Sequence, residues 1–250
     1  MKPTAQLAAC GALLLGCSVI QASPVAPVNG IPTLSILWGT EADPDQIAVA
    51  TDLPLTLDTE GNFFGGSLSY DFSGNPAVQD LITVSYVGGN VDPVITMGVG
   101  FVDFGAPSVF SFGVSAPLAP SVTGLANFRL DVTGSFADGA ANGGSVALSP
   151  LAPLGILEGQ LDFLTFASVG PAATFAGLTG TYGTYTLLGT VNCGAGCDDF
   201  GLFLSAKGSG GGDAMSFTAR FELTPVPVPA AVWLFASAFG VLALVRRRAA

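Results

Sequence analysis

Apolar and polar residues alternate with period two through much of the middle of this chain. Leu68, Tyr70 and Phe72 take turns with Ser67, Ser69, Asp71 and Ser73, Ile82, Val84 and Tyr86 with Thr83 and Ser85, and Phe110, Phe112 and Val114 with Ser111, Gly113 and Ser115. Phe128, Leu130 and Val132 oppose Arg129, Asp131 and Thr133. The cleanest run sets Met215, Phe217, Ala219, Phe221 and Leu223 against Ser216, Thr218, Arg220 and Glu222. Successive side chains of a strand point to opposite faces, so each run predicts a strand with one buried face. Gly74-Asn75-Pro76, Gly88-Gly89-Asn90, Asp138-Gly139, Asn142-Gly143-Gly144 and Gly208 to Gly212 separate the runs and predict reversals. Charged-face helices have little to be built from, since Lys and Glu are scarce. The expectation is an all-β, antiparallel, β-sandwich-like single domain over residues 23–224. Its last element is expected to be a hairpin of Phe200–Lys207 with Ala214–Leu223.

Both ends depart from this pattern. Residues 1–22 carry one early cation, Lys2, then the apolar run Leu7 to Ile20, then small residues at Ala22 and Ser23 where a signal peptidase would cut. Leu14-Leu15-Gly16-Cys17 offers a competing reading as a lipobox with Cys17 acylated; either route exports the domain. At the other end, Ala230 to Val245 is sixteen residues without a charge, followed by Arg246, Arg247 and Arg248. At roughly 1.5 Å per residue such a helix reaches about 24 Å, short of a hydrocarbon core of about 30 Å. Interfacial placement of Trp233 and snorkelling arginines make up the difference. The three arginines place the C-terminus in the cytoplasm and the body outside.

Pro225-Val226-Pro227-Val228-Pro229-Ala230-Ala231-Val232-Trp233-Leu234-Phe235, the apolar segment after it and Arg246-Arg247-Arg248 together resemble the PEP-CTERM sorting signal, nearest its VPLPA variant. The resemblance covers residues 225–250. Val228 stands where the eponymous motif has Glu, and Ala236 and Ala238 replace glycines usual in the helix. It implies that the chain is the substrate of an exosortase, a membrane peptidase that cuts near the proline motif. Prolines without amide donors keep that strip extended and accessible. The resemblance alone also implies association with extracellular polysaccharide. A permanent single-pass anchor is the alternative use of the same tail.

Charge and composition narrow what the exported body can do. It holds all eighteen acids against Arg129, Lys207 and Arg220, a net of −15, which disfavours binding to a phosphate backbone. The chain contains no histidine, which removes Ser-His-Asp and Cys-His nucleophile pairs and imidazole metal ligands. Eighteen of its twenty-four aromatic residues are Phe, as suits a core.

Few candidates for chemistry are left. Cys193 and Cys197, the body's only cysteines, are expected to form a local disulfide in an oxidising compartment; their spacing fits neither a closed zinc site nor the usual redox motif. Glu41-Ala42-Asp43-Pro44-Asp45, Asp58-Thr59-Glu60-Gly61-Asn62 and Asp198-Asp199 offer hard oxygens to Ca²⁺, but none completes an EF-hand loop and solvated loop acids are the plainer reading, so no cofactor is expected. Glu158 and Asp162 are the most tempting pair for a glycoside hydrolase. The sequence thus points to an exported cell-surface or extracellular-matrix protein of structural or adhesive type, first held at the inner membrane with its domain in the periplasm. A surface carbohydrate-active hydrolase and a permanently anchored protein or lipoprotein are the alternatives.

Overall fold

A computed structural model describes residues 31–226 except 41–47, 72–79, 106, 140–144, 151–154 and 177. The strands are β1 (Thr33–Thr40), β2 (Ala48–Pro54), β3 (Thr56–Leu57), β4 (Asn62–Gly65), β5 (Leu68–Asp71), β6 (Leu81–Asn90), β7 (Val94–Asp103) and β8 (Ser108–Val122). They continue as β9 (Leu125–Asp138), β10 (Ser145–Pro150), β11 (Leu157–Leu161), β12 (Leu164–Val169), β13 (Ala173–Ala176), β14 (Thr179–Asn192), β15 (Cys197–Lys207) and β16 (Asp213–Pro225). The described residues contain no helix, so the all-β expectation holds.

Two antiparallel sheets form. The first runs β12-β11-β15-β8-β1-β2, with β10 joined to β15 and β13; the second runs β14-β9-β16-β7-β6-β4-β3, with β5 beside β6. They pack face to face through phenylalanines: Phe101 of β7 stacks on Phe110 of β8 at 3.9 Å, and Phe221 of β16 meets Phe200 of β15 at 5.9 Å and Phe166 of β12 at 5.7 Å. Phe carries no polar atom that must be satisfied, so large rings fill this layer without unpaired donors. Ile82, Ile95, Leu130, Val132, Leu202 and Leu204, each 0% exposed, complete it.

The expected last hairpin does not form. β15 lies in the first sheet between β8 and β11, whereas β16 lies in the second between β7 and β9. The loop at Gly208–Gly212 therefore carries the chain across the core from one sheet to the other. Both strands present a continuous apolar face, and both faces are buried when the strands oppose each other across the sandwich. Gly210, Gly211 and Gly212 all have positive φ, which the sharp passage demands. The chain crosses in the same way from β7 to β8, β8 to β9 and β14 to β15. The run β7-β8-β9 is paired antiparallel with β16-β15-β14 throughout, giving a long two-stranded ribbon folded over twice, the winding principle of a jelly roll.

Three further expectations need correction. Tyr86 points outward, 41% exposed, because an irregularity after Val84 inserts one residue and moves Val87 into the core instead. Gly88-Gly89-Asn90 is part of β6 rather than a turn; a Cβ at Gly89 would lie 2.5 Å from the ring of Phe63, so the glycine makes room for it. Ser111 and Ser115 are buried although they face away from the core, since β8 is central and Phe203 lies over Gly113 on that side.

Candidate functional site

The outer face of the second sheet is a regular array of small and hydroxyl side chains. Strand pairing places Thr83, Gly100, Ser216, Ser135 and Thr181 in one transverse row across β6, β7, β16, β9 and β14. The next row reads Tyr86, Gly98, Thr218, Thr133 and Thr184. Ser135 and Ser216 hydroxyls are 3.1 Å apart, and Thr184 donates to Thr133 at 3.3 Å. The first row, with the apolar Leu81, Val102, Ala214 and Ala137 beside it, lines a shallow open trough of about 570 Å³. Beside it the Tyr86 ring lies flat on Gly98, where any Cβ would come within 2.3 Å of Cε1. Gly98 thus seats an exposed aromatic platform on the sheet.

The next two rows contain charges that cancel. Arg220 is registered against Asp131 and Glu222 against Arg129, while within each strand Arg129 bonds Asp131 at 2.6 Å and Arg220 bonds Glu222 at 2.8 Å. Partial burial works against the Asp131 charge, but hydrogen bonds from Arg129 and Thr186 and the positive charges of Arg129 and Arg220 outweigh it and hold the carboxyl below the usual range. Two of the body's three cations are therefore spent on this face, which is neutral although the body is strongly acidic.

Inside the same sheet, at one end, lies an acidic row. Asp213 of β16 is in register with Asp103 of β7 and Asp138 of β9, and Asp80 immediately precedes β6 beside them. All four are buried. Asp80 accepts from Trp38 Nε1 at 2.7 Å, Ser108 Oγ at 2.6 Å and the Phe104 amide at 3.0 Å. Asp103 accepts from the Ser108 and Gly210 amides at 3.1 and 2.8 Å, and Ser209 donates to Asp213. Burial, reinforced by the neighbouring charge of Asp80, pushes the Asp103 carboxyl up to about 7. Burial also raises Asp80, and burial with Asp138 nearby raises Asp213. These carboxyls receive the amides and hydroxyls of the two crossings at that end.

The disulfide Cys193–Cys197 is formed, with Cα atoms 5.2 Å apart, and the loop it closes bonds back to Gly124. Glu158 and Asp162 have separate hydrogen-bond partners. Glu158 accepts from Thr165 at 2.8 Å, while Asp162 lies beyond the end of β11 in a tight turn and accepts from the Asp198 and Asp199 amides. Asp162 and Phe163 both have positive φ there. Burial, with Asp162 and Asp198 nearby, raises the Asp199 carboxyl. Asp58 is occupied by its own turn, accepting from the Glu60 and Asn62 amides and from Asn62 Nδ2. Among the described residues no group of three or more acidic or cysteine side chains is arranged to hold a metal ion. Glu41, Asp43 and Asp45 lie outside the described residues.

Of the sorting motif, only Pro225 and Val226 are described. Pro225 is registered with Ala126, the Val226 amide donates to Leu125 at 2.9 Å, and both residues are exposed. Pro227, Val228, Pro229, Ala230, Ala231, Trp233, Leu234, Arg246, Arg247 and Arg248 lie outside the described residues, as do Ala22, Ser23 and Cys17. No helix among the described residues is long and apolar enough to cross a membrane. The hydroxyl face and the aspartate row escape a reading by periodicity. One signal for the first was a solvent-facing half made of Ser, Thr and Gly where Lys and Glu are usual; for the second it was an Asp flanking the apolar runs of β6, β7, β9 and β16.

No protein-family model and no curated protein matches the chain. A solved structure of Arthrobacter globiformis T6 isomalto-dextranase complexed with panose is similar at 12% identity over 79% of this chain, with a TM-score of 0.20. The chain spans about 30% of that protein's length. A likeness this slight carries no argument about function.

Proposed function

We propose that this is an exported cell-surface or extracellular-matrix protein of structural or adhesive type, delivered through a C-terminal exosortase signal and bound to neutral polysaccharide by the outer face of its second sheet. The observation that carries the binding role is that face: hydroxyl rows, an aromatic platform at Tyr86 and charges cancelled within the surface. Hydroxyls both donate and accept, as sugar hydroxyls do, and a flat ring offers its face to the C–H side of a sugar. A neutral chain escapes the repulsion that a body of net charge −15 exerts on a polyanion. The delivery role is supported by the tripartite tail and by the exposure of Pro225 and Val226 at the end of β16.

Dextran and alginate immobilised side by side test the binding role. Retention on dextran, lost in Tyr86→Ala, is expected; retention only on alginate, or binding unaffected by Tyr86→Ala, overturns it. Mass spectrometry of surface material tests delivery. A C-terminus between Pro225 and Ala231 is expected, whereas an intact Arg246–Ala250 end or an acylated Cys17 replaces sorting with anchoring or lipoprotein export.

A further inference from the structure

We propose that the free edge of β14 is a self-association surface, at which a second copy of this chain pairs its own β14 antiparallel and joins the two second sheets into one. β14 runs fourteen residues, Thr179–Asn192, about 45 Å of edge, and among the described residues is paired on one side only, with β9. An exposed row of unpaired amides and carbonyls is a template for another strand, and folded proteins blunt such edges with short strands, charges or proline. The opposite edge of the sheet is blunted in this way: β3 has two residues, with Pro54 before it and Asp58 and Glu60 in the turn after it. β14 contains no charged residue and no proline, and a single irregularity between Thr181 and Gly183.

The rim around this edge is also oily. Leu178 and Leu188 are 63% and 67% exposed, and Leu125, whose strand partner is Asn192, is 54% exposed. On the first sheet, Leu164 of β12, a strand that lies against β14, is 73% exposed. Exposed leucines thus flank both ends of this uncharged strand edge. A second copy fits it better than an unrelated strand, because antiparallel pairing of identical strands about a two-fold axis is self-complementary and closes after one partner. That axis stands perpendicular to the sheet, so both outer faces remain on the same side and the hydroxyl rows continue from one copy into the next. The body's negative charge opposes the approach at long range, and salt that screens it leaves the uncharged edge free to pair.

Sedimentation of the chain as matured by its cell, over a range of concentrations and salt, is the test. A dimer that tightens as salt rises is expected, with Thr186→Lys combined with Leu188→Lys weakening it at least about tenfold by setting like charges against each other at the edge. Thr218→Lys, in the middle of the outer face, leaves the dimer intact, which separates this surface from the polysaccharide site. Hydrogen exchange on the unmodified chain gives a readout independent of any variant: β14 amides gain protection with concentration. A monomer at every concentration and salt, association untouched by the double substitution in a folded variant, or concentration-independent β14 exchange overturns the proposal.

Discussion

The sandwich solves one problem twice, with different chemistry at its two ends. At each end two strand connections pass side by side from one sheet to the other, leaving backbone amides that no ladder can satisfy. At the β7–β8 and β15–β16 end the partners are buried carboxylates: Asp80 takes the Phe104 amide and Asp103 those of Ser108 and Gly210. At the β8–β9 and β14–β15 end no buried acid serves. The Cys193–Cys197 bond closes the second connection, and backbone bonds between Cys193, Gly194 and Gly124 join it to the first. One end therefore rests on buried carboxyls and the other adds a bond that reductant breaks, although both do the same topological work.

The widest expected separation between the ends is in pH. Asp103 holds its proton in the folded state up to about 7, whereas in the unfolded chain it loses it near 3.8. The stabilisation is thus full below pH 3.8 and is lost as pH rises through about 7, up to about 4 kcal/mol for this residue. Asp80 and Asp213, also raised, act in the same direction, while Asp131, lowered on the exposed face, opposes them weakly because solvent screens it. Urea unfolding at intervals from pH 4 to 8 should show stability falling as pH rises, and Asp103→Asn should flatten the slope; a steady rise would contradict the arrangement.

Next in size is the loss of an acceptor. Asp80→Ala removes the carboxylate that accepts from the Trp38 indole N–H, the Ser108 hydroxyl and the Phe104 amide, and is expected to cost about 3 kcal/mol. Asp80→Asn, which keeps an acceptor, should recover part of it in the same unfolding assay. Replacing both Cys193 and Cys197 with serine should cost roughly 2 kcal/mol, since a disulfide closing so short a loop removes little chain entropy. The loss should be the same at pH 4 and pH 8 and be reproduced by reductant on the unmodified protein. The smallest effect belongs to Gly124→Ala. A side chain there meets nothing within 4 Å, so only the positive φ is penalised, by about 1 kcal/mol; a much larger loss of melting temperature would mean the Gly124 crossing bears more of the second end than the disulfide does.

Alternation made most of the strands legible, because burial follows it residue by residue: Met215, Phe217, Ala219, Phe221 and Leu223 are buried and Ser216, Thr218 and Arg220 exposed. The disulfide was legible from its short spacing and the absence of rival cysteines in the body. Sheet membership was not. The pattern of Phe200–Lys207 and Ala214–Leu223 is the same whether they pair edge to edge or face each other across a core, and the choice rests on β7, β8, β9 and β11, far away in sequence. Tyr86 was misplaced because one inserted residue inverts everything after it. The outer rows were visible as polar positions, but that Thr83, Gly100, Ser216, Ser135 and Thr181 meet in one line depends on register among five strands, which no local pattern contains.

β16 gives the molecule a mechanical axis. It is the last strand among the described residues, it lies between β7 and β9, and its ladders run from Asp213 to Glu222 on one side and to Pro225 on the other. A pull on the C-terminal end enters along the length of this strand, so its bonds are loaded together in shear and do not peel one after another. A body held by that end resists drag as a unit, with the hydroxyl face standing beside the line of tension.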